Sequence, residues 1–171
     1  MLQGRKDKAT VTASGERLEA RIDGVKLRYA TTQFDERGEV CEIYDPAWGV
    51  APDPLVYVYT ALIRPGRIKG WVYHKAQIDR MFVLSGFLKI VLYDMREDSP
   101  TRGTVNEIHL TERNRGLVVI PPFVVHAVQN VGTSDGAFVN MPSRPYDHAN
   151  PDKYRVERAD VPYSFDKGAG W

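Results

Sequence analysis

From Gly24 to Met141 the chain breaks into about ten short runs rich in β-branched and aromatic residues, each closed by a turn signal. No helical periodicity alternates with them. That rhythm admits a β-sandwich or barrel and excludes a parallel sheet assembled from strand–helix–strand units. The predicted strands cover residues 25–30, 39–44, 55–64, 70–74, 79–84, 87–94, 104–110, 116–120, 124–129 and 137–141. Pro65–Gly66, Ser85–Gly86 and residues 96–103 read as turns, and the proline-rich stretch 45–54 reads as a loop. Pro121–Pro122 forces a corner between two strands, because proline has no N–H for a ladder.

At 171 residues, 43% of them apolar, the chain is sized for one domain with one core. The expected organisation is a polar arm over residues 1–23, a barrel over 24–141, and a short helical or irregular tail over 142–171. The long strands 55–64 and 87–94 have faces that need covering, which predicts pairing with a second copy. Lys and Arg number 23 against 22 Asp and Glu, a net charge of +1, so no field of one sign draws the chain to nucleic acid or a membrane surface. A phosphate-bearing ligand then requires a local cluster of cations. The lone Cys41, the polar start MLQGRKDKAT and the absence of a membrane-length apolar run predict a reducing, cytoplasmic setting.

Two stretches carry histidines with a structural logic. In Gly116-Leu-Val-Val-Ile-Pro-Pro-Phe-Val-Val-His126-Ala-Val-Gln-Asn130, a proline corner ends one strand and the returning strand projects His126 inward. In Lys69-Gly-Trp-Val-Tyr-His74-Lys75, followed by Asp79, Val72 and His74 share one strand face. These resemble the two cupin motifs, which implies an all-β, cupin-type double-stranded β-helix (jelly roll). His74, Asp79 and His126 are the residue types of a facial two-His-one-carboxylate metal set, provided strand pairing brings them together. Two further stretches, residues 34–42 (FDERGEVCE) and 93–103 (YDMREDSPTRG), read alone as charged turns beside strands.

Taken in order, the four stretches resemble the dTDP-4-dehydrorhamnose 3,5-epimerase family over residues 34–141, with a looser likeness in Pro162-Tyr-Ser-Phe165. The resemblance implies a homodimer with an arm exchanged between copies, a dTDP-linked keto-deoxy sugar as ligand, no metal and no cofactor. Carried over residue by residue, Arg37 and Glu42 match nucleotide-contacting positions, and Lys69 stands for a pyrophosphate-contacting Arg without its bidentate fork. Val72 occupies the position of the family's base, Asp79 that of a Lys, and Asn140 that of the Tyr that reprotonates the sugar; His126 is retained. Ile68-Lys-Gly-Trp-Val-Tyr-His74-Lys75 lies closer to a subset with I-K-G-W-H-x-H-K, in which His74 matches the second His. The resulting expectation is an epimerase or ketoisomerase working next to the C4 ketone, with His74 and His126 catalytic and Arg37, Glu42, Lys69 and Asn140 binding substrate. A nucleotide-sugar-binding protein without catalysis and a metal cupin acting on another small molecule are the alternatives.

Overall fold

The computed structural model describes residues 4, 6–15 and 18–165. The remaining positions of the predicted arm and tail lie outside the described residues. Among the described residues twelve strands form in order: β1 Lys26–Tyr29, β2 Thr32–Asp35, β3 Gly38–Cys41, β4 Tyr59–Ile63, β5 Ile68–Tyr73, β6 Asp79–Ser85, β7 Phe87–Asp94, β8 Val105–Thr111, β9 Gly116–Ile120, β10 Val124–Asn130, β11 Gly136–Asn140 and β12 Tyr154–Arg155. They build two antiparallel five-stranded sheets, β1-β9-β6-β11-β4 and β12-β5-β10-β7-β8, with β2 and β3 as a separate hairpin. This is the jelly roll that the motifs imply. Among the described residues, no helix is long and apolar enough to cross a membrane.

Alternation of side chains sorts each strand into an inner and an outer face. Met81 and Val83 of β6, Leu88, Ile90 and Leu92 of β7, Ile108 and Leu110 of β8, Val118 and Ile120 of β9, and Phe138 of β11 fill the space between the sheets. The outer faces are covered as well. Phe82, Leu117, Val119 and Val139 lie under Tyr44, Trp48 and Val50 of the 43–51 segment. Trp71, Val91, Val125 and Ala127 lie under Val156, Val161 and Phe165. Double covering explains why runs such as Leu117-Val-Val-Ile120 are apolar throughout instead of alternating.

Three strand expectations are corrected. Residues 55–64 do not form one strand: β4 begins at Tyr59, because its neighbour β11 ends at the facing Asn140 and the chain then turns at Pro142. Leu55, Val56 and Val58 are left exposed. Residues 32–35 form a strand that the reading lacked, since this solvated hairpin strand has no buried face to impose alternation. The tail contributes β12 to the edge of β5, along with a single 3-10 turn at Arg158–Asp160.

A bulge in β5 shapes the cleft. His126 pairs with Val72 and Val128 with Lys69, so β5 carries one extra residue opposite β10. The extra residue falls at Gly70, where a side-chain Cβ would stand 2.4 Å from Ala127 Cβ. Only glycine lets the two backbones approach this closely.

Candidate active site

Asp79 opens β6 on its inner face, His126 sits mid-β10 on its inner face, and His74 follows the last residue of β5. Pairing of β5 with β10 and the facing of the two sheets bring the three together. Asp79 Oδ2 lies 3.2 Å from His74 Nε2 and 3.3 Å from His126 Nε2. All three residues are buried. The turn after β5 is pinned by Asp152: its carboxylate accepts the backbone N–H groups of Lys75, Ala76 and Gln77, each at 2.9 Å. Its carbonyl oxygen meets His74 Nδ1. On the other imidazole, Nδ1 lies 3.1 Å from the Val124 carbonyl oxygen.

These anchors settle the protons. A carbonyl oxygen only accepts, so each Nδ1 carries the hydrogen, and each neutral imidazole then presents a bare Nε2 lone pair. Asp79 Oδ1 is already occupied by N–H donors, from Gln77 Nε2 at 2.7 Å and Asn140 Nδ2 at 3.0 Å. With both imidazoles neutral, Oδ2 would face two nitrogen lone pairs, His74 Nε2 having only the Gln77 amide at 3.4 Å as a donor, so the trio calls for an added proton or another shared cation. A proton on an Nε2 meets that need. Burial opposes the charge on Asp79, but the hydrogen bonds from His126 and His74 outweigh it and hold the carboxyl far below the usual carboxylate range. Burial likewise opposes charge on His74, and the hydrogen bond and charge of Asp79, joined by Asp152, overcome it and raise the imidazole above its ordinary value.

The same three ligand atoms lie within 4.8 Å of one another, the one such group of three among the described residues. Their donor chemistry, two imidazoles oriented through Nδ1 and one carboxylate oxygen, fits a divalent transition-metal ion.

The trio forms the floor of a pocket of about 570 Å³ between the sheets. On the β5–β12 side it is lined by Lys69, Lys153 and Arg155. Burial, and then the neighbouring Arg155, push the Lys153 ammonium below its ordinary value. On the β4 side stand Tyr57 and Tyr59, with Tyr146 and His148 from the loop after β11. The segment carrying Lys153 and Arg155 is held by a stack in which Tyr73 lies between Phe123 and Tyr154. Phe123 adopts φ 60°, a left-handed conformation that non-glycine residues seldom take, and its ring rests on Tyr73.

Of the residues singled out from sequence, His74, His126 and Lys69 line this pocket, and Asn140 lies directly behind Asp79. Val72 lines it too, on the same side of β5 as His74. Arg37 and Glu42 are not among its lining residues. Arg37 is exposed at the tip of the β2–β3 hairpin, paired with Asp35 at 2.5 Å, and Glu42 borders a shallow depression with Arg28 and Trp48 on the outer side of the first sheet. The sequence reading did not name Gln77, Tyr57, Tyr59, Asp152, Lys153 or Arg155, and treated Asp79 only as an optional ligand. The available signal was pairs of polar or aromatic residues two apart, Gln77/Asp79, Tyr57/Tyr59 and Lys153/Arg155.

A jelly roll whose polar cluster opens into a cation-edged cleft is the architecture of a small-molecule cupin. The chain belongs to the polysaccharide biosynthesis C-terminal domain family, whose model matches residues 33–154. It is 29% identical over 136 residues to the probable low-salt glycan biosynthesis epimerase Agl13 of Haloferax volcanii, covering 79% of this chain and 87% of that protein. It is 30% identical over 144 residues to the spore coat polysaccharide biosynthesis protein SpsL of Bacillus subtilis, covering 84% of this chain and 95% of that one. Among solved structures, the dTDP sugar isomerase of Desulfovibrio desulfuricans G20 superposes with a TM-score of 0.79 at 24% identity, over 86% of this chain and 94% of that one.

Proposed function

We propose that this single domain is an epimerase that inverts one carbon next to the C4 ketone of a dTDP-linked 4-keto-6-deoxy sugar, in the service of glycan assembly. The observation that carries the reading is the pair of imidazole Nε2 atoms 3.2 and 3.3 Å from one oxygen of a buried carboxylate that lines the pocket. The ketone acidifies the neighbouring C–H. His74 Nε2 takes that proton, and the charge on Asp79 stabilises the imidazolium that forms. His126 orients the trio and polarises the developing enediolate oxygen. Lys69, Lys153 and Arg155 hold the diphosphate, and Asn140 fixes Asp79. The names of the relatives, a glycan biosynthesis epimerase and a dTDP sugar isomerase, support the substrate class. The unpaired Cys41 supports a reducing, cytoplasmic setting.

A homodimer completes the proposal. Phe34 is 84% exposed and Val40 70% exposed on the β2–β3 hairpin, apolar surface suited to a second copy. Light scattering at micromolar concentration should give twice the chain mass; a monomer sinks the dimer.

The test of function is deuterium uptake. Incubated in D₂O with dTDP-4-keto-6-deoxyglucose, the protein should label the carbon beside the ketone and form an epimer. Binding of dTDP without any label would mean a binding protein instead. One observation favours a second reading, a metal cupin: the 3.2 and 3.3 Å contacts match the ~3.3 Å edge expected of a tetrahedral site with bonds of about 2.0–2.1 Å. Stoichiometric metal in the purified protein, with deuterium uptake lost on chelation, would replace the first reading by the second.

A further inference from the structure

Tyr59 lines the pocket with a hydroxyl that accepts one hydrogen bond from the protein and keeps its own hydrogen open to the cleft. It stands on β4, the edge strand of the first sheet, directly opposite Asn140 on β11. Asn140 Nδ2 donates one hydrogen to the Tyr59 oxygen at 2.9 Å and the other to Asp79 Oδ1 at 3.0 Å. The hydroxyl is thus an acceptor in its one side-chain hydrogen bond, and no acceptor for its own hydrogen occurs among the described residues. Tyr59 lines the pocket, so that hydrogen is available to whatever fills it. Asn140 is itself fixed: its Oδ1 accepts the Arg80 N–H at 3.2 Å, and the residue is completely buried.

Position adds a second argument. His126 on β10 and His74 after β5 belong to the second sheet, and Tyr59 belongs to the first. The imidazoles approach Asp79 through Oδ2, while the amide that holds the phenol approaches through Oδ1. A flat enediolate lying in the cleft would have nitrogen bases on one face and the phenol on the other. Burial, and the charge of Asp79, raise the Tyr59 hydroxyl above its ordinary range, so the phenol holds its proton near neutral pH.

Resting on the epimerase reading, we propose that Tyr59 is the proton donor that delivers hydrogen to the opposite face of the enediolate and so completes inversion. His74 Nε2 removes the proton and the C–H electron pair passes into the enediolate. That pair then takes the hydrogen of Tyr59 Oη to form the new C–H bond. The phenolate recovers a proton from water and the imidazolium releases one. The sugar gains no atoms and no electrons.

The experiment follows deuterium and stereochemistry separately in the full-length protein with dTDP-4-keto-6-deoxyglucose in D₂O. Tyr59→Phe preserves the ring beside Tyr57 and removes only the hydroxyl. It should continue to exchange label into recovered substrate, because His74 returns solvent deuterium to the face it serves. Epimer formation should fall about 10²–10⁴-fold, the range for a lost general acid. His74→Ala should lose both. Wild-type epimer formation by Tyr59→Phe overturns the proposal. So does parallel loss of exchange and inversion, which makes Tyr59 a residue that positions substrate. Wild-type protein that exchanges nothing overturns the epimerase reading itself, and the proposal with it.

Discussion

Among the described residues two carboxylates are buried, Asp79 and Asp94, and they are satisfied in opposite ways. Asp94 ends β7 with every acceptor site met by a donor that cannot run short of protons. Arg96 Nε and Nη2 donate at 2.8 and 2.9 Å, the Arg96 N–H at 3.1 Å, Ser99 Oγ at 2.5 Å and Thr101 Oγ1 at 2.7 Å. Burial opposes its charge, and these donors, Arg96 foremost, reverse that and hold it well below the usual carboxylate range. Its partner never deprotonates. Asp79 instead faces two imidazoles whose Nδ1 atoms are turned to backbone carbonyls, so any hydrogen they give it is a titratable one on Nε2. Both acids are ionised, but one closes a turn and the other keeps an unfilled demand for a proton in a pocket. Chemistry belongs where the donors are deficient.

The sharpest way to break this contrast is to neutralise each acid. Asp79→Asn should reduce deuterium uptake by the keto sugar about 10²–10⁴-fold in a protein that still folds, at some cost in stability from the lost imidazole contacts. Asp94→Asn should spare the chemistry and lower stability in urea melts by about 3 kcal/mol, the low end for breaking a buried ion pair, since Arg96 keeps some contact with water. If the two variants exchanged phenotypes, the assignment of roles would be reversed.

Titration sharpens it further. The folded value of His74 is raised, so its stabilisation is complete below about pH 6.5 and lost as pH rises through the folded value. The folded value of Asp94 is depressed, so its stabilisation is present above about pH 3.9 and lost only as pH falls through the folded value. Alkali should therefore weaken the pocket cluster while the Asp94 turn holds. The epimerase rate should rise with pH through the raised His74 value, as the base loses its proton. Asp79→Asn should move that limb to lower pH. A limb that stays in place would separate His74 from Asp79.

The smallest expected effect is on binding. Lys153→Ala and Lys69→Ala should each weaken dTDP about 10- to 100-fold by calorimetry, the scale of a lost charge-assisted hydrogen bond. Arg96→Ala, at the saturated carboxylate, should leave dTDP affinity unchanged. Unchanged affinity in both lysine variants would remove the diphosphate from that wall.

The contrast also explains what could be read from sequence. The strands of the two sheets were legible because buried faces impose apolar spacing and Gly or Pro punctuates them. β12 is two residues long and β2 is solvated, so neither carries a period to detect. His126 was legible because a strand's alternation fixes which way it points, and His74 because it follows directly on β5, one step past Tyr73. The hub was not, because Asp79 becomes central only when β6, β10 and the end of β5 converge, and no local spacing encodes that meeting. Lys153 and Arg155 were hidden in a stretch that reads as tail. Arg37 and Glu42 were legible only by resemblance, and within one chain they stand outside the pocket.

Asp79 is followed immediately by Arg80, whose guanidinium is buried on the other side of the sheet among the carbonyl oxygens of Asp53, Pro54, Met141 and Pro142. Each of these neighbouring charges suits one side of β6 and is intolerable on the other. A nascent β6 that joined β9 and β11 one position out of alignment would drive a guanidinium in among aliphatic side chains and set a carboxylate against a ring of carbonyl oxygens. The two consecutive residues thus act as a proofreading mark for assembly, rejecting the misaligned sheet and, by the same act, delivering the acid to the place where the pocket needs it.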